Sequence, residues 1–204
     1  DPVFDFSPVW SPDGLRIAFV REAESGTEGW VVPAAGGAER RLTASMVGSR
    51  YGMRQLARQI CGLAWSPNGR FLVFVDRESG GSPRGLFLLD VETRERRKLT
   101  APPAGWAGDG LSAFSPDGRS LAFARSRGGW PSDIYLLALS ESGEPRGEPR
   151  PVTNDIKTIM GFDWTPDGRA LVFASDRGGV HALWRVSASG GFLVQSLPPS
   201  EETT

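Results

Sequence analysis

The sequence contains only one cysteine, Cys61, and one histidine, His181, among its 204 residues. A single cysteine excludes an internal disulfide and any zinc cluster built on cysteines. A nucleophilic triad needs a base, and His181 would have to serve alone in that role. No glycine-rich phosphate motif precedes a helix, and no histidines or cysteines have the spacing of a zinc site. We therefore expect no catalytic residues, no metal and no cofactor in this chain.

The sequence also lacks an excess of either charge and any long apolar run. Its 23 basic and 24 acidic residues leave a net charge of -1, so no overall field attracts nucleic acid or an anionic membrane. Apolar stretches such as Ile134 to Leu139 are far shorter than the roughly 18 residues that cross a bilayer, and the acidic start from Asp1 to Phe6 is not a signal peptide. We expect no nucleic-acid partner and no membrane insertion.

Turn-forming residues, in contrast, are abundant. The chain has 26 glycines and 16 prolines, together with 39% apolar and 10% aromatic residues. This composition suffices for a buried core and predicts many short elements joined by turns. The length favours a single domain.

A four-residue turn motif recurs four times, roughly every fifty residues, which is close to the repeat length of propeller blades. Each copy follows an aromatic residue and precedes a β-rich run with Phe at its fifth position. Pro presets φ for the second position of a type I turn, and Gly accepts the positive φ that ends it, so each copy predicts a hairpin. The copies are Trp10-Ser11-Pro12-Asp13-Gly14, Trp65-Ser66-Pro67-Asn68-Gly69, Phe114-Ser115-Pro116-Asp117-Gly118 and Trp164-Thr165-Pro166-Asp167-Gly168, and the phenylalanines are Phe19, Phe74, Phe123 and Phe173.

Two more strands are predicted after each hairpin, which gives four strands per repeat. The predicted fold class is all-β, a β-propeller of four four-stranded blades at about residues 7–43, 62–100, 111–153 and 161–197. We expect the aromatic residues before the turns to hold the blades together with the four phenylalanines. These residues are Trp10, Trp65, Phe114 and Trp164.

This pattern resembles the TolB-type propeller repeat, a Pro-Asp relative of the WD repeat. The resemblance covers nearly the whole chain and rests on the turn motif, an aromatic third strand and the blade ending Arg-x-Leu-Thr, as in Arg97-Lys98-Leu99-Thr100. The family includes periplasmic TolB of cell-envelope complexes, sensor-like domains attached to regulators or kinases, and the propellers of prolyl-oligopeptidase-like peptidases. The resemblance therefore implies a protein partner and, through TolB, a periplasmic location, but no reaction.

TolB-like propellers usually have six or more blades, whereas four are visible here. We expect the chain to be part of a larger ring. The alternatives are a compact four-bladed ring and a partial ring completed by a second copy. An incomplete ring leaves open strand edges and half-buried blade faces, which favour self-association.

The candidate binding residues lie in links and loops, where rigid scaffolds often carry binding. In the long link between the first two blades, Ser49 is predicted to cap a short helix that ends near Ile60 and carries an arginine stripe suited to an acidic partner. The alternatives are a solvated helix face for the arginines, and channel plugs or blade caps for the loop aromatics. The predicted partner-binding residues are Arg50, Tyr51, Arg54, Trp106 and Trp130.

Three other features are assigned structural roles. Asp163 stands where the other blades have Val or Ala, and we expect its carboxylate to accept a hydrogen bond rather than bind a metal, which needs several oxygens. The segment Gly80-Gly81-Ser82-Pro83-Arg84 lacks the last glycine of a nucleophile elbow and is predicted to be a turn within a blade. Asp76-Arg77 and Asp176-Arg177 occupy equivalent turns and are assigned to turn chemistry.

The function expected from these observations is a non-catalytic scaffold for protein-protein interaction or ligand sensing. Such a scaffold would be the sensor part of a multidomain bacterial regulator or an envelope protein. The alternative is the gating propeller of a prolyl-oligopeptidase-like serine peptidase, with the catalytic domain outside this sequence.

Overall fold

The computed structural model describes residues 4–23, 26–46, 62–129, 131–190 and 194–196, and every regular element in these ranges is a β-strand. Strands are numbered here in chain order. They are β1 Asp5–Trp10, β2 Arg16–Ala23, β3 Gly26–Pro33, β4 Arg40–Met46, β5 Ala64–Trp65, β6 Phe71–Asp76, β7 Gly85–Asp90, β8 Arg96–Lys98, β9 Gly108–Phe114, β10 Ser120–Ser126, β11 Pro131–Ala138, β12 Arg150–Pro151, β13 Lys157–Trp164, β14 Ala170–Ser175, β15 Ala182–Ser187 and β16 Val194–Ser196.

Consecutive strands pair antiparallel and form four blades in chain order. Blade 1 contains β1 to β4, blade 2 contains β5 to β8, blade 3 contains β9 to β12 and blade 4 contains β13 to β16. Two residue pairs between β11 and β13 join blades 3 and 4 into one extended sheet. The first strands of the blades contact one another in succession, β1 with β5, β5 with β9 and β9 with β13. These contacts place the first strands innermost and confirm the predicted all-β propeller.

The repeated motif forms the predicted turn between the first and second strands of each blade. In blade 3 the Gly118 N–H donates to the Ser115 carbonyl over 2.8 Å, and Gly118 has a φ of 70°. The Ser115 hydroxyl donates to the Asp117 carboxylate over 2.6 Å and accepts a bond from the Ser120 N–H over 2.9 Å. The same contacts recur in the turns that begin at Ser11, Ser66 and Thr165.

The hydrophobic core lies between the blades rather than within them. Three clusters fill the spaces between blades 1 and 2, blades 2 and 3, and blades 3 and 4. Phe74, Phe123 and Phe173 are fully buried, as the repeat predicts. Each such side chain contributes about 1.5 to 3 kcal/mol through burial. Each blade therefore needs a neighbour to cover its apolar faces.

In the blade ending Arg-x-Leu-Thr, the Arg, Leu and Thr side chains each make a different contact. Arg97 of blade 2 bonds to the Glu144 carboxylate in blade 3. Leu99 is buried in the cluster between these blades. The Thr100 hydroxyl accepts a bond from the Leu86 N–H over 2.9 Å and donates to Asp109 of blade 3 over 2.6 Å. In blade 2 this ending thus fastens the blade to the one that follows it.

One predicted core residue is not in the core. Trp65 and Trp164 each donate an indole N–H to the preceding blade, to the carbonyls of Val9 at 3.2 Å and Ala113 at 3.0 Å. Trp10 occupies the same position in blade 1 but is 61% exposed. The prediction that Trp10 holds blades together is wrong for this structure, because no described blade precedes blade 1.

Candidate functional site

The antiparallel order gives the propeller two rims. The first hairpin turns, such as residues 115–118, lie at one end, here called the turn rim. The turns between second and third strands, such as residues 77–84 and 127–129, lie at the opposite end together with the links between blades, such as residues 99–107. This second end is called the link rim. Loops there follow strands that the core holds rigid.

Trp106 lies on the link rim, in the segment that enters blade 3. Its side chain is half-buried, and the guanidinium of the exposed residue Arg127 lies over the indole, 5.1 Å from the ring centroid. The Ala107 N–H donates to the Arg127 carbonyl over 3.2 Å and ties the link to the neighbouring turn. Trp106 is therefore a fixed aromatic side chain beside an exposed positive charge.

The other predicted binding residues lie outside the described residues. They are Arg50, Tyr51, Arg54 and Trp130. The predicted helix that starts near Ser49, and Cys61 after it, also lie outside the described ranges. Their part in a binding surface stays a prediction.

A buried ion pair lies at the base of the Trp106 link. Asp109 is fully buried, and Arg125 donates to its two carboxylate oxygens over 2.7 and 3.0 Å. Burial raises the pKa of Asp109, against the lowering influence of Arg125 and Thr100. Because both charges are shielded from water, removing either partner leaves the other uncompensated, at a cost of about 3 to 5 kcal/mol. This pair fixes the point where the link becomes β9.

A second arrangement recurs in every blade and was missed by sequence reasoning. An arginine guanidinium lies over two aromatic rings, one from the second strand and one from the third, at 4.1 to 5.7 Å from the ring centroids. A carboxylate lies within 2.6 to 3.3 Å of each arginine. The four groups are Arg21 over Phe19 and Trp30, Arg96 over Phe74 and Phe87, Arg125 over Phe123 and Tyr135, and Arg177 over Phe173 and Trp184.

The sequence repeat does not reveal these arginines, because they occupy different positions in the four blades. Arg21 and Arg125 lie on second strands, Arg96 on a fourth strand and Arg177 in a turn. The aromatic partners do repeat at fixed positions, and they were the only available signal. Cation-π contacts of this kind contribute about 0.5 to 2 kcal/mol each and stiffen the blade.

The turn rim carries two open clefts between successive hairpin turns. The cleft between blades 2 and 3 has a volume of about 320 Å³ and is lined by residues that include Pro67, Phe114 and Glu141. The cleft between blades 3 and 4 has a volume of about 440 Å³ and includes Pro116 and Trp164. Both clefts lie where two like turns meet, and their walls combine turn residues with aromatic rings, Phe71 and Phe114 in the first cleft and Trp164 in the second.

The candidates for chemistry lie apart from one another. His181 is exposed and directly precedes β15. Ser82 lies in the turn between β6 and β7, as predicted, where the Arg77 guanidinium donates to its carbonyl over 2.8 Å. Asp163 is exposed on β13, and its carboxylate accepts a bond from the Trp164 N–H over 2.8 Å. His181 is close to Asp176, whose pKa is lowered mainly by its bond from Thr158 and to a smaller extent by His181. The Ser82 hydroxyl bonds to that of Ser79 over 2.8 Å.

Two aspartates in equivalent turns have structural partners. Asp76 pairs with Arg96 over 2.8 Å, and Asp176 accepts a bond from the Thr158 N–H over 3.1 Å. Within the described ranges, no three His, Cys, Asp or Glu side chains are grouped as a metal site requires. The same residues include no helix with the length and apolarity to cross a bilayer.

Comparison with known proteins identifies the family. The family model described as the TolB beta propeller domain matches residues 51–197, which is more than half of the chain. The chain belongs to the TolB β-propeller domain family. The matched range contains the last three copies of the turn motif and the Arg97 blade ending of this TolB-type propeller.

The relatives of this TolB-type propeller include both a protein named as a peptidase and proteins of the Tol-Pal system. The uncharacterized peptidase YuxL of Bacillus subtilis is 32% identical over 128 residues, which cover 59% of this chain and 17% of YuxL. The Tol-Pal system protein TolB of Francisella tularensis subsp. mediasiatica is 34% identical over 90 residues, which cover 43% of this chain and 19% of that protein. The chain therefore spans less than a fifth of the length of either relative.

A solved structure shows the same fold. TolB from Acinetobacter baumannii superposes with a TM-score of 0.70 at 21% identity, over 98% of this chain and 44% of that structure. The match covers all four blades. The described blades therefore have the arrangement found in part of a larger TolB propeller.

Proposed function

We propose that this TolB-type propeller is a non-catalytic scaffold that binds a protein partner at its link rim. The observation that carries the proposal is Trp106, an aromatic side chain fixed by Arg127 and by the buried Asp109–Arg125 pair beneath it. Rigid aromatic and arginine side chains are the residues that most often anchor protein interfaces, because little entropy is lost when they bind. Family membership and a relative named as a Tol-Pal system protein support a role in an assembly.

The proposed partner presents acidic side chains. Arg127 is exposed beside Trp106 on this rim. From the sequence we add Arg50, Tyr51 and Arg54 of the first link and Trp130 of the turn after Arg127 to the same surface. A surface of arginine and aromatic residues favours a partner that combines carboxylates with apolar groups.

Two arginines at opposite ends of β10 give a matched test. Arg127 follows the strand on the link rim, and Arg119 precedes it on the turn rim, where it is exposed. A photo-cross-linking residue is placed at either position, and the chain is irradiated in the bacterium that encodes it. We expect protein adducts at position 127 that diminish in a Trp106→Ala background, and few adducts at position 119. Equal labelling at both positions would contradict the link-rim assignment.

The second candidate function is the propeller of a serine peptidase. The observation that favours it is the match to YuxL, which extends over more of this chain than the match to TolB. The test is the complete reading frame and its purified product. A following α/β domain with a G-x-S-x-G motif, and hydrolysis of a peptide p-nitroanilide that a serine-directed inhibitor stops, would replace the scaffold proposal with a gating role.

We also propose a periplasmic location. It follows from the resemblance to TolB of cell-envelope complexes, and a chain with one cysteine needs no disulfide to fold there. Osmotic-shock fractionation of the source bacterium tests it. Recovery of the protein with the cytosolic fraction would contradict the proposal.

A further inference from the structure

We propose that Asn68 is a site of self-modification, at which the side-chain amide leaves as ammonia and an aspartate forms. Asn68 lies exposed in the first hairpin turn of blade 2 and is followed by Gly69. The other three turns have an aspartate at this position, Asp13, Asp117 and Asp167. The proposal is independent of the proposed function, because Asn68 lies on the turn rim and not on the link rim.

The reaction takes place between the Asn68 side chain and the backbone nitrogen of Gly69. That nitrogen forms a bond to the Asn68 Cγ atom, the bond from Cγ to Nδ2 breaks, and ammonia leaves with the proton that the Gly69 nitrogen gives up. Water then opens the resulting cyclic imide at one of its two carbonyl carbons and returns a proton to the nitrogen. Glycine favours the attack, because it has no Cβ atom and its backbone is the least restricted.

The two products of this reaction affect the turn differently. Opening at the side-chain carbon yields an ordinary aspartate, which the turn accepts, because Asp117 makes the same contacts in blade 3 as Asn68 makes in blade 2. Opening at the main-chain carbon yields a β-linked aspartate, which adds a methylene group to the backbone. The added group displaces the bond from the Gly69 N–H to the Ser66 carbonyl that closes the turn.

The hydrogen bonds of the folded turn oppose the first step. The Gly69 N–H donates to the Ser66 carbonyl over 2.9 Å, which favours the protonated form of the attacking nitrogen. The Asn68 side-chain oxygen accepts bonds from the Ser66 hydroxyl over 2.7 Å and from the Arg70 N–H over 3.0 Å, and these bonds fix the amide group. Asn68 therefore loses its amide mainly when this turn opens.

A contact from blade 1 also holds this turn closed. The Arg16 guanidinium donates to the Gly69 carbonyl over 3.1 Å and lies over the Trp65 ring, 5.2 Å from the centroid. Arg16 also pairs with Glu92 of blade 2 over 2.9 Å. The rate of conversion at position 68 therefore depends on the contact between blades 1 and 2 as well as on the turn itself.

The ordinary aspartate should fit the turn better than the asparagine it replaces. In blade 3 the Ser115 hydroxyl, and after it the Arg119 N–H, lower the pKa of Asp117 and so favour its ionised form. Ser66 is expected to bind the new carboxylate in the same way and to raise stability slightly at neutral pH. The β-linked product is expected to lower stability, so an aged sample should contain two modified populations with opposite effects.

The experiment follows the amide at position 68 in the full chain during incubation at neutral pH, by peptide mass spectrometry. The mass distinguishes the amide from the acid, and fragmentation distinguishes the two products. Asn154 is the internal control, because it is also exposed but is followed by Asp155. We expect faster conversion at position 68 than at position 154, and slower conversion at position 68 in the folded chain than in urea.

Two like turns supply a matched pair of variants. Ser66→Ala removes the hydroxyl that fixes the Asn68 amide, and Ser115→Ala removes the same hydroxyl from the turn of blade 3. Ser66→Ala is expected to speed conversion in the folded chain about fivefold, the effect of losing one hydrogen bond from the closed turn. Ser115→Ala is expected to leave the rate unchanged. Circular dichroism confirms the fold of each variant.

A second variant covers the case in which Ser66→Ala does not fold. Arg16→Gln removes the guanidinium that donates to the Gly69 carbonyl from blade 1, and it leaves the bonds within the turn in place. It is expected to speed conversion at position 68 in the folded chain and to have no effect in urea.

Three outcomes would overturn the proposal. The first is conversion at position 68 that is no faster than at position 154. The second is conversion that is as fast in the folded chain as in urea, which would show that the turn gives no protection. The third is an equal acceleration by Ser66→Ala and Ser115→Ala, which would indicate a general loss of stability rather than opening of this turn.

Discussion

Replacing Gly108 with alanine should destabilise the interface between blades 2 and 3. Gly108 begins β9 with a φ of 103°, and a Cβ atom there would lie 2.2 Å from the Arg84 carbonyl oxygen and 2.5 Å from the Arg84 nitrogen. These are backbone atoms that cannot rotate away. The chain must shift and weaken the bonds from the Asp109 N–H to the Arg84 carbonyl (2.8 Å) and from the Arg84 N–H to the Ala107 carbonyl (3.3 Å).

The expected loss of stability in Gly108→Ala is the sum of a backbone cost and the cost of the weakened hydrogen bonds. A positive φ costs an alanine about 1 to 2 kcal/mol, and each lost hydrogen bond costs about 1 kcal/mol. With displacement of the buried link, the total is about 3 to 5 kcal/mol, a large share of the roughly 5 to 15 kcal/mol that stabilises a folded domain.

Gly105→Ala is the matched control for this experiment. Gly105 lies in the same link with a φ of 82°, but nothing lies within 4 Å of its Cβ position. It therefore isolates the conformational cost, about 1 to 2 kcal/mol. Urea unfolding followed by tryptophan fluorescence, at one low protein concentration, measures both variants. Equal losses of stability in the two variants would refute the steric argument.

Three further predictions concern charged groups. Arg125→Met should lower the free energy of unfolding by about 3 to 5 kcal/mol, because it leaves Asp109 buried and unpaired, and adding Asp109→Leu should recover part of that loss in the same urea assay. Arg177→Leu should cost less than Arg125→Met, because the carboxylate that pairs with Arg177 at 3.3 Å is the partly exposed Asp155, and a larger loss would contradict this comparison. Asp117→Asn should keep the turn, since Asn68 makes the same contacts in blade 2. It should lower stability slightly at neutral pH, and the difference from the unaltered chain should shrink in acid, as acid titration of unfolding would show.

The expected loss of stability in acid follows from the lowered pKa of Asp117 in the folded chain. The Ser115 hydroxyl lowers the pKa of Asp117 more than any other neighbour. A lowered pKa means that the folded chain favours the ionised carboxylate, so this stabilisation is present above the ordinary carboxyl pKa and is lost as the pH falls through the lowered value. Asparagine at this position does not titrate, which removes the contribution from the acid limb.

The repeat could be predicted from sequence because its main determinants are local. The turn beginning at Ser115 needs only Pro, Asp and Gly in order, and the Phe123 position follows from strand alternation. These features led to the correct fold class and to the buried phenylalanines. The arginine that covers Phe123 and Tyr135 could not be predicted, because its counterpart in blade 2, Arg96, reaches the aromatic pair from another strand.

Trp10 shows why the candidate surfaces were harder to predict than the fold. In sequence it is indistinguishable from Trp65, since both precede the same turn motif. Its exposure depends on whether another blade stands in front of it, which is a property of the assembly rather than of the repeat. The binding role of Trp106 is likewise undetermined by local pattern, since its fixed orientation comes from Arg127, which lies in a turn of the same blade beyond two strands.

The fourth-strand arginines affect how such a chain can be recombined. Three of these arginines bond to the blade that follows their own. They are Arg40, Arg97 and Arg150, and their acceptors are Glu92, Glu144 and the Ala188 carbonyl. A segment cut between two blades would separate each arginine from its acceptor. A segment exchanged between propellers should therefore begin with the fourth strand of one blade and end just before the fourth strand of the following blade. Such a segment carries the arginine and its acceptor together.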